Sequence, residues 1–192
     1  VFGSTFVCSN AEIAKTIVGC EGNYLIAVKD NQPTLRQDIE KTFAEAADER
    51  VRSCDELARP VVEISEEYDK GHGRVEKRTV HLCRDLGWLT APERWPGLAF
   101  VAQVLRETTV LTTGKTSSET AFYIGSDNEV GAAEAGSTIR RHWAIESKLH
   151  WVLDIAFRED DARHRARNTA QNLATLRHFA LNIVRQDRER KV

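Results

Sequence analysis

The stretch VFGSTFVCSNAEIAKTIVGCEGNYLIAV, residues 1–28, decides the fold class. Val1 to Val7 is apolar and β-branched, which suits a short strand. Asn10 stands where an N-cap belongs, and Ala11 to Val18 sets Ile13, Ile17 and Val18 on one helical face. Cys20-Glu21-Gly22-Asn23 is a turn. Tyr24-Leu25-Ile26-Ala27-Val28 is a continuous apolar run, as in a buried strand. Strand, helix, strand over so few residues is a βαβ unit. It predicts a parallel pair in an α/β sheet, since parallel neighbours need a crossover and a helix supplies one.

Working outward, Asn31-Gln32-Pro33-Thr34 breaks the strand and opens a second helix. Pro33 lies in its first turn, and Leu35, Ile39 and Phe43 are one turn apart. The helix ends around Asp48 to Arg52. The texture then changes. Val61 to Tyr68 and Arg74 to Cys83 alternate apolar and polar around Asp69-Lys70-Gly71-His72-Gly73, which predicts a hairpin with a longish loop. Leu98 to Leu111 and Glu119 to Gly125 add two strand-like segments, separated by a turn at Gly114. Residues 60–125 thus read as an antiparallel meander inserted after the βαβ unit. From Gly131 the pattern is helical: Ile139 to Ala156 carries Trp143, Ile145, Leu149, Trp151, Val152 and Ile155. A last helix, Thr169 to Asp187, is expected to bury Leu173, Leu176, Ala180, Leu181 and Val184.

The 192 residues are 41% hydrophobic and 29% charged, enough to bury a sizeable core in one large domain or one domain with an insertion. No apolar run is long enough for a transmembrane helix, and no basic, apolar leader is present. Cys8, Cys20, Cys54 and Cys83 form no C-x-x-C pair, which argues against a zinc ribbon or a thioredoxin-like motif and for reduced thiols in a cytoplasmic protein. There is no Met, and the chain opens on apolar Val1-Phe2, which favours a beginning in the middle of a fold. The net charge of −2 argues against nucleic-acid binding over the whole surface. The charge is uneven: residues 139–192 hold 12 Lys and Arg against 7 Asp and Glu, and the remainder 15 against 22. A basic end on an acidic body suits phosphate binding, and equally a pair of solvated helices.

The chemistry-bearing residues concentrate in Arg140-Arg141-His142-Trp143-Ala144-Ile145-Glu146-Ser147-Lys148-Leu149-His150-Trp151. His142, Glu146 and His150 recur every four residues and share a helix face that drifts by about 40° per step. Asp154 extends the stripe; Arg140, Arg141 and Lys148 flank it. Three readings fit. Glu146 is a hard oxygen ligand for Mg²⁺ or Mn²⁺, with the cations on DNA phosphates. His142, Glu146 and His150 bind zinc, although H-E-x-x-H is absent. Or these are solvated groups on an amphipathic helix whose tryptophans are core. Asp154, Glu159, Asp160 and Asp161 leave room for a nuclease completed by other acids, or for a loop between helices. Arg163, His164, Arg165 and Arg167 are the densest basic cluster.

The string H-W-A-I-E at 142–146, followed by L-H-W-V-L-D-I-A-F-R-E-D-D at 149–161, resembles the signature of an ISAs-type branch of bacterial insertion-sequence DDE transposases. That branch includes the H-repeat-associated proteins. Gly22-Asn23-Tyr24 and Val28 to Leu35 resemble the family's segment after its second catalytic strand. His72 to Arg78 resembles its inserted hairpin, and Asn172 to Arg177 its last helix. The order and spacing of these strings carry the resemblance over nearly the whole chain.

The resemblance implies an α/β fold: a partial RNase H-like core with an inserted antiparallel β region at 60–125 and helices at 130–192. Residues 1–192 are then the C-terminal part of a catalytic domain. It implies metal-dependent phosphodiester cleavage and strand transfer, in which three carboxylates hold two Mg²⁺ or Mn²⁺ ions. Glu146 matches the family's catalytic, metal-binding Glu. Arg140, Arg141, His142, Trp143, Lys148, Arg163 and Arg165 would contact double-stranded DNA at transposon ends and target; Lys29 and Asn31 are further candidates. The first Asp would precede this chain, and Ser4 stands where the second is expected, so the chain is expected to be truncated and catalytically incomplete. A homodimer or a full-length transposase is the protein partner implied. The competing expectation is a DNA-binding or regulatory fragment without catalysis.

Overall fold

The computed structural model describes residues 10–47, 60–71, 73–145, 153, 155, 157–158 and 168–186. The expected strand at 1–7 and Ser4 lie outside them. The chain divides into two units, Val1–Ile139 and Arg140–Val192.

In the first unit, helix α1 (Ala11–Gly19) begins as the sequence indicates: Asn10 is extended and its side-chain oxygen accepts from the Glu12 amide at 2.9 Å. Strand β1 (Leu25–Val28) follows, then α2 (Pro33–Ala47), whose Leu35, Ile39 and Phe43 are all buried. Strands β2 (Val62–Gly71), β3 (Arg74–Cys83), β4 (Phe100–Val110) and β5 (Thr116–Gly125) form the meander. The β2–β3 ladder runs to Gly71 opposite Arg74, so positions 72 and 73 suffice as the connection where a longer loop was expected.

The five strands make one sheet in the order β1-β5-β4-β3-β2. Every described pair is antiparallel, including β1 with β5, where Leu25 faces Gly125 and Val28 faces Phe122. The meander is therefore continuous with β1. The parallel partner expected for β1 falls in 1–7, outside the described residues.

Period-two alternation gives the sheet two apolar faces at one end. Cys83, Val101, Phe122 and Ile124 pack with Ala14 of α1 and with Leu35, Ile39 and Phe43 of α2. Val80, Leu82, Ala102, Val104 and Tyr123 pack with Ala132, Ala135 and Ile139 of helix α3 (Ala132–Ile145). Toward the hairpin ends the texture reverses. None of the described residues in 66–78 and 105–120 is buried. Cross-strand ion pairs take over there: Lys77 with Glu66 at 2.7 Å, Arg78 with Glu67 at 3.9 Å, and Arg106 with Glu119 at 2.5 Å. β2–β5 thus form a four-stranded polar arm that extends from the packed part of the sheet.

In the second unit, α4 (Thr169–Gln186) matches the expected last helix closely. Leu181 is buried, but Leu176 and Val184 are 61% and 66% exposed, contrary to the expectation that they are core. Helical periodicity identifies an apolar stripe without saying what covers it.

Candidate nucleic-acid interface

The helix that carries the basic candidates is built from its first turn. α3 has no Ser, Thr, Asp or Asn at its start to satisfy its unpaired amides. A carboxylate 69 positions earlier does so instead: Glu63 Oε1, from β2, accepts from the Ala132 amide at 2.8 Å. Arg84 ties the same corner together, with Nη1 at 3.4 Å from Glu63 Oε2 and Nη2 donating to the Val130 carbonyl at 2.7 Å. The carboxylate also sits favourably at the positive end of the helix dipole. A Cβ on Gly131 would lie 2.8 Å from Glu63 Oε1, so this approach requires glycine or a shifted carboxylate. Nothing local in the sequence signals this latch; only an acidic residue at an alternating strand position is visible.

Along α3, Arg140 and His142 are half-buried and Arg141 is exposed. Neither arginine is without a partner. The backbone of Trp143 belongs to α3. Glu146, Lys148, His150, Trp151, Asp154, Glu159, Asp160, Asp161, Arg163, His164, Arg165 and Arg167 lie outside the described residues. Among the described residues, no three His, Cys, Asp or Glu side chains come together as a metal site. Of the cysteines, Cys20 is an exposed free thiol and Cys83 a buried one whose pKa burial raises.

Asn31 lines a cleft of about 280 Å³ at the start of α2, with Gln32, Asp38, Arg94 and Trp95 around it. Asp38 Oδ2 accepts from the Thr90 amide at 2.9 Å, which fixes the segment Thr90–Trp95 against α2. Lys29 is exposed just beyond β1, and Lys29 and Asn31 both have partners. Arg36 bridges Asp30 and Glu40, with the Glu40 contact at 3.0 Å, and its guanidinium lies over the Phe122 ring. No described helix is long and apolar enough to cross a membrane.

Comparison with known proteins places this chain in a family. The chain is 32% identical over 180 residues to "Putative protein YbfL" of Escherichia coli (strain K12), covering 92% of this chain and 45% of the relative. It is 31% identical, with the same coverage, to "H repeat-associated putative transposase YhhI" of the same strain. To "Putative transposase YncI" of Escherichia coli O157:H7 it is 30% identical over 186 residues, 94% of this chain and 44% of the relative. The chain thus spans under half the length of these relatives. No solved structure matches it. The family described as "Transposase DDE domain" matches residues 8–183, which take in both the arm and α3, and the chain belongs to that family.

Proposed function

We propose that this chain is part of the catalytic domain of an insertion-sequence DNA transposase, contributing Glu146 as one of its metal-binding carboxylates. The observation that carries this reading is the family match over residues 8–183, which includes Glu146 and its flanking cations. Arg140, Arg141, Lys148, Arg163 and Arg165 supply positive charge for DNA phosphates, and His142 and Trp143 are further DNA-contact candidates of this reading. The basic balance of residues 139–192, set in a chain of net charge −2, supports placing DNA on this part of the molecule. Mg²⁺ or Mn²⁺ is the ion this reading assigns to Glu146, with the remaining carboxylates provided from outside the described residues. Double-stranded DNA is the substrate. A second copy or a full-length transposase is the partner.

A second reading follows from Ser4. The resemblance puts an anionic ligand there, and a neutral hydroxyl is a poor substitute for a carboxylate on a hard divalent ion. On that reading the chain binds DNA, or regulates a full-length transposase, without cutting.

The test is Mg²⁺- and Mn²⁺-dependent nicking of supercoiled plasmid by the unmodified chain and by Glu146→Gln. Nicking that disappears in Glu146→Gln supports the catalytic reading. Salt-dependent DNA binding with no nicking by either protein selects the second. Neither binding nor nicking removes both.

A further inference from the structure

We propose that the ends of hairpins β2–β3 and β4–β5 form one contact surface for the phosphates of double-stranded DNA, with Arg74 and Lys115 as its cations. This rests on the DNA-binding reading above and adds a surface far in sequence from α3.

The two hairpin ends are joined into one platform. The Leu111 amide donates to the Gly73 carbonyl at 2.9 Å, tying the second turn to the first. Arg74 faces Val110 across the β3–β4 ladder, and the Val110 amide donates to the Lys115 carbonyl at 2.9 Å. Arg74, Val110 and Lys115 therefore lie in one cross-strand row. The two cations bracket Val110 two strand spacings apart, about 10 Å at the backbone. Lys70 pairs with Val75, the neighbour of Arg74, and so belongs to the other face of the sheet.

The charges of the arm are sorted by position. Nearer the packed end, Lys77, Arg78 and Arg106 are each held by a carboxylate. At the hairpin ends, Lys70, Arg74 and Lys115 are exposed and none of the ion pairs among the described residues includes them. Within 69–75 and 110–118 the one carboxylate is Asp69, which already has a partner. The other polar groups there are largely hydroxyls, Thr112, Thr113, Thr116, Ser117 and Ser118, neutral donors for phosphate oxygens. An arm with no buried residue beyond its base does not exist to fill a core. Uncompensated cations at its end, on a chain of net negative charge, suit a polyanion.

The experiment measures duplex DNA binding by fluorescence anisotropy across a salt series. It compares the unmodified chain, the double variant Arg74→Ala/Lys115→Ala, and Arg163→Ala/Arg165→Ala. Both substituted arm residues are exposed and in no ion pair among the described residues, and circular dichroism confirms that the double variant is folded. Each phosphate contact contributes about 0.9 to the slope of log K against log salt. The double variant Arg74→Ala/Lys115→Ala is expected to lower that slope by about 2. An unchanged slope in Arg74→Ala/Lys115→Ala, with a reduced one in Arg163→Ala/Arg165→Ala, overturns the proposal and leaves the C-terminal reading standing. The reverse pattern upholds the arm surface and removes the C-terminal cluster from the interface. No binding by the unmodified chain overturns both.

Discussion

Glu63 caps α3 from a distant strand: its Oε1 lies 2.8 Å from the Ala132 amide, while Arg84 holds the other carboxylate oxygen at 3.4 Å. The start of the helix that leads to Arg140 is thereby tied to β2, the strand at the far edge of the sheet order. Removing a capping oxygen typically costs about 1 kcal/mol. Glu63→Ala is expected to destabilise the chain by about that much in urea titration, whereas Glu63→Gln keeps an acceptor and loses less. Gly131→Ala displaces the same carboxylate, so its cost and that of Glu63→Ala should not add. Full additivity in the double variant would show that the cap and the glycine act separately.

What the sequence reveals here depends on the range of the interaction. Asn10 and the Ala11–Gly19 helix, the Leu35–Ile39–Phe43 stripe and the alternation of β3 are local signals, and each appears where it was expected. The pairing of β1 with β5 joins residues about a hundred positions apart, and no local pattern encodes it. Alternation was also a weaker guide on β2 than on β3. Ile64 and Tyr68 sit at apolar positions of the pattern yet are 60% and 64% exposed, because β2 is an edge strand whose outer half belongs to the polar arm. The candidate site divides likewise. The basic residues of α3 announce themselves by clustering. The Glu63 latch and the joined hairpin ends appear only once the strands are paired.

Gly125 and Phe100 make the tightest steric demand in the sheet. They face each other across β4 and β5, and a Cβ on Gly125 would stand 2.2 to 2.8 Å from three atoms of the Phe100 ring. Phe100 is fully buried and cannot swing into solvent. Gly125→Ala is therefore an overpacking substitution with an expected cost of about 1–3 kcal/mol, read as a lower melting temperature. Phe100→Leu in the same background should recover part of the loss. A Gly125→Ala protein as stable as the unmodified chain would mean that the ring has room to shift.

The Glu66–Lys77 pair gives the arm a predictable pH response. The hydrogen bond from Lys77, with its charge, lowers the Glu66 pKa below its usual 4.5, and the reciprocal contact raises Lys77 above 10.5. A lowered carboxylate pKa stabilises the fold above the unfolded-state value, and that contribution is lost as pH falls through the folded value. A raised lysine pKa stabilises below 10.5 and is lost as pH rises through the folded value. Protection of the β2–β3 amides against hydrogen exchange should therefore be greatest between these limits. Glu66→Gln should flatten the acid side alone. An acid limb unchanged in Glu66→Gln would assign it to other carboxylates.

Tyr24 sets up the opposite case, a buried polar group with nothing to satisfy it. Its ring is 3% exposed within the core formed by α1, α2 and the sheet, and its hydroxyl has no hydrogen-bond partner among the described residues. Burial pushes its pKa up to about 12. The phenol is neutral in the folded state at pH values where an unfolded tyrosine has begun to ionise. Its contribution is therefore present below pH 10 and lost as pH rises toward 12. An unsatisfied buried hydroxyl carries a desolvation penalty of about 1–3 kcal/mol. Tyr24→Phe keeps the ring packing and removes that penalty, so it should hold or raise stability by about 1 kcal/mol and weaken the alkaline loss. Ultraviolet difference titration reads the phenol directly, and chemical denaturation reads the stability. A Tyr24→Phe protein destabilised by more than about 1 kcal/mol would show that the hydroxyl is hydrogen-bonded in solution.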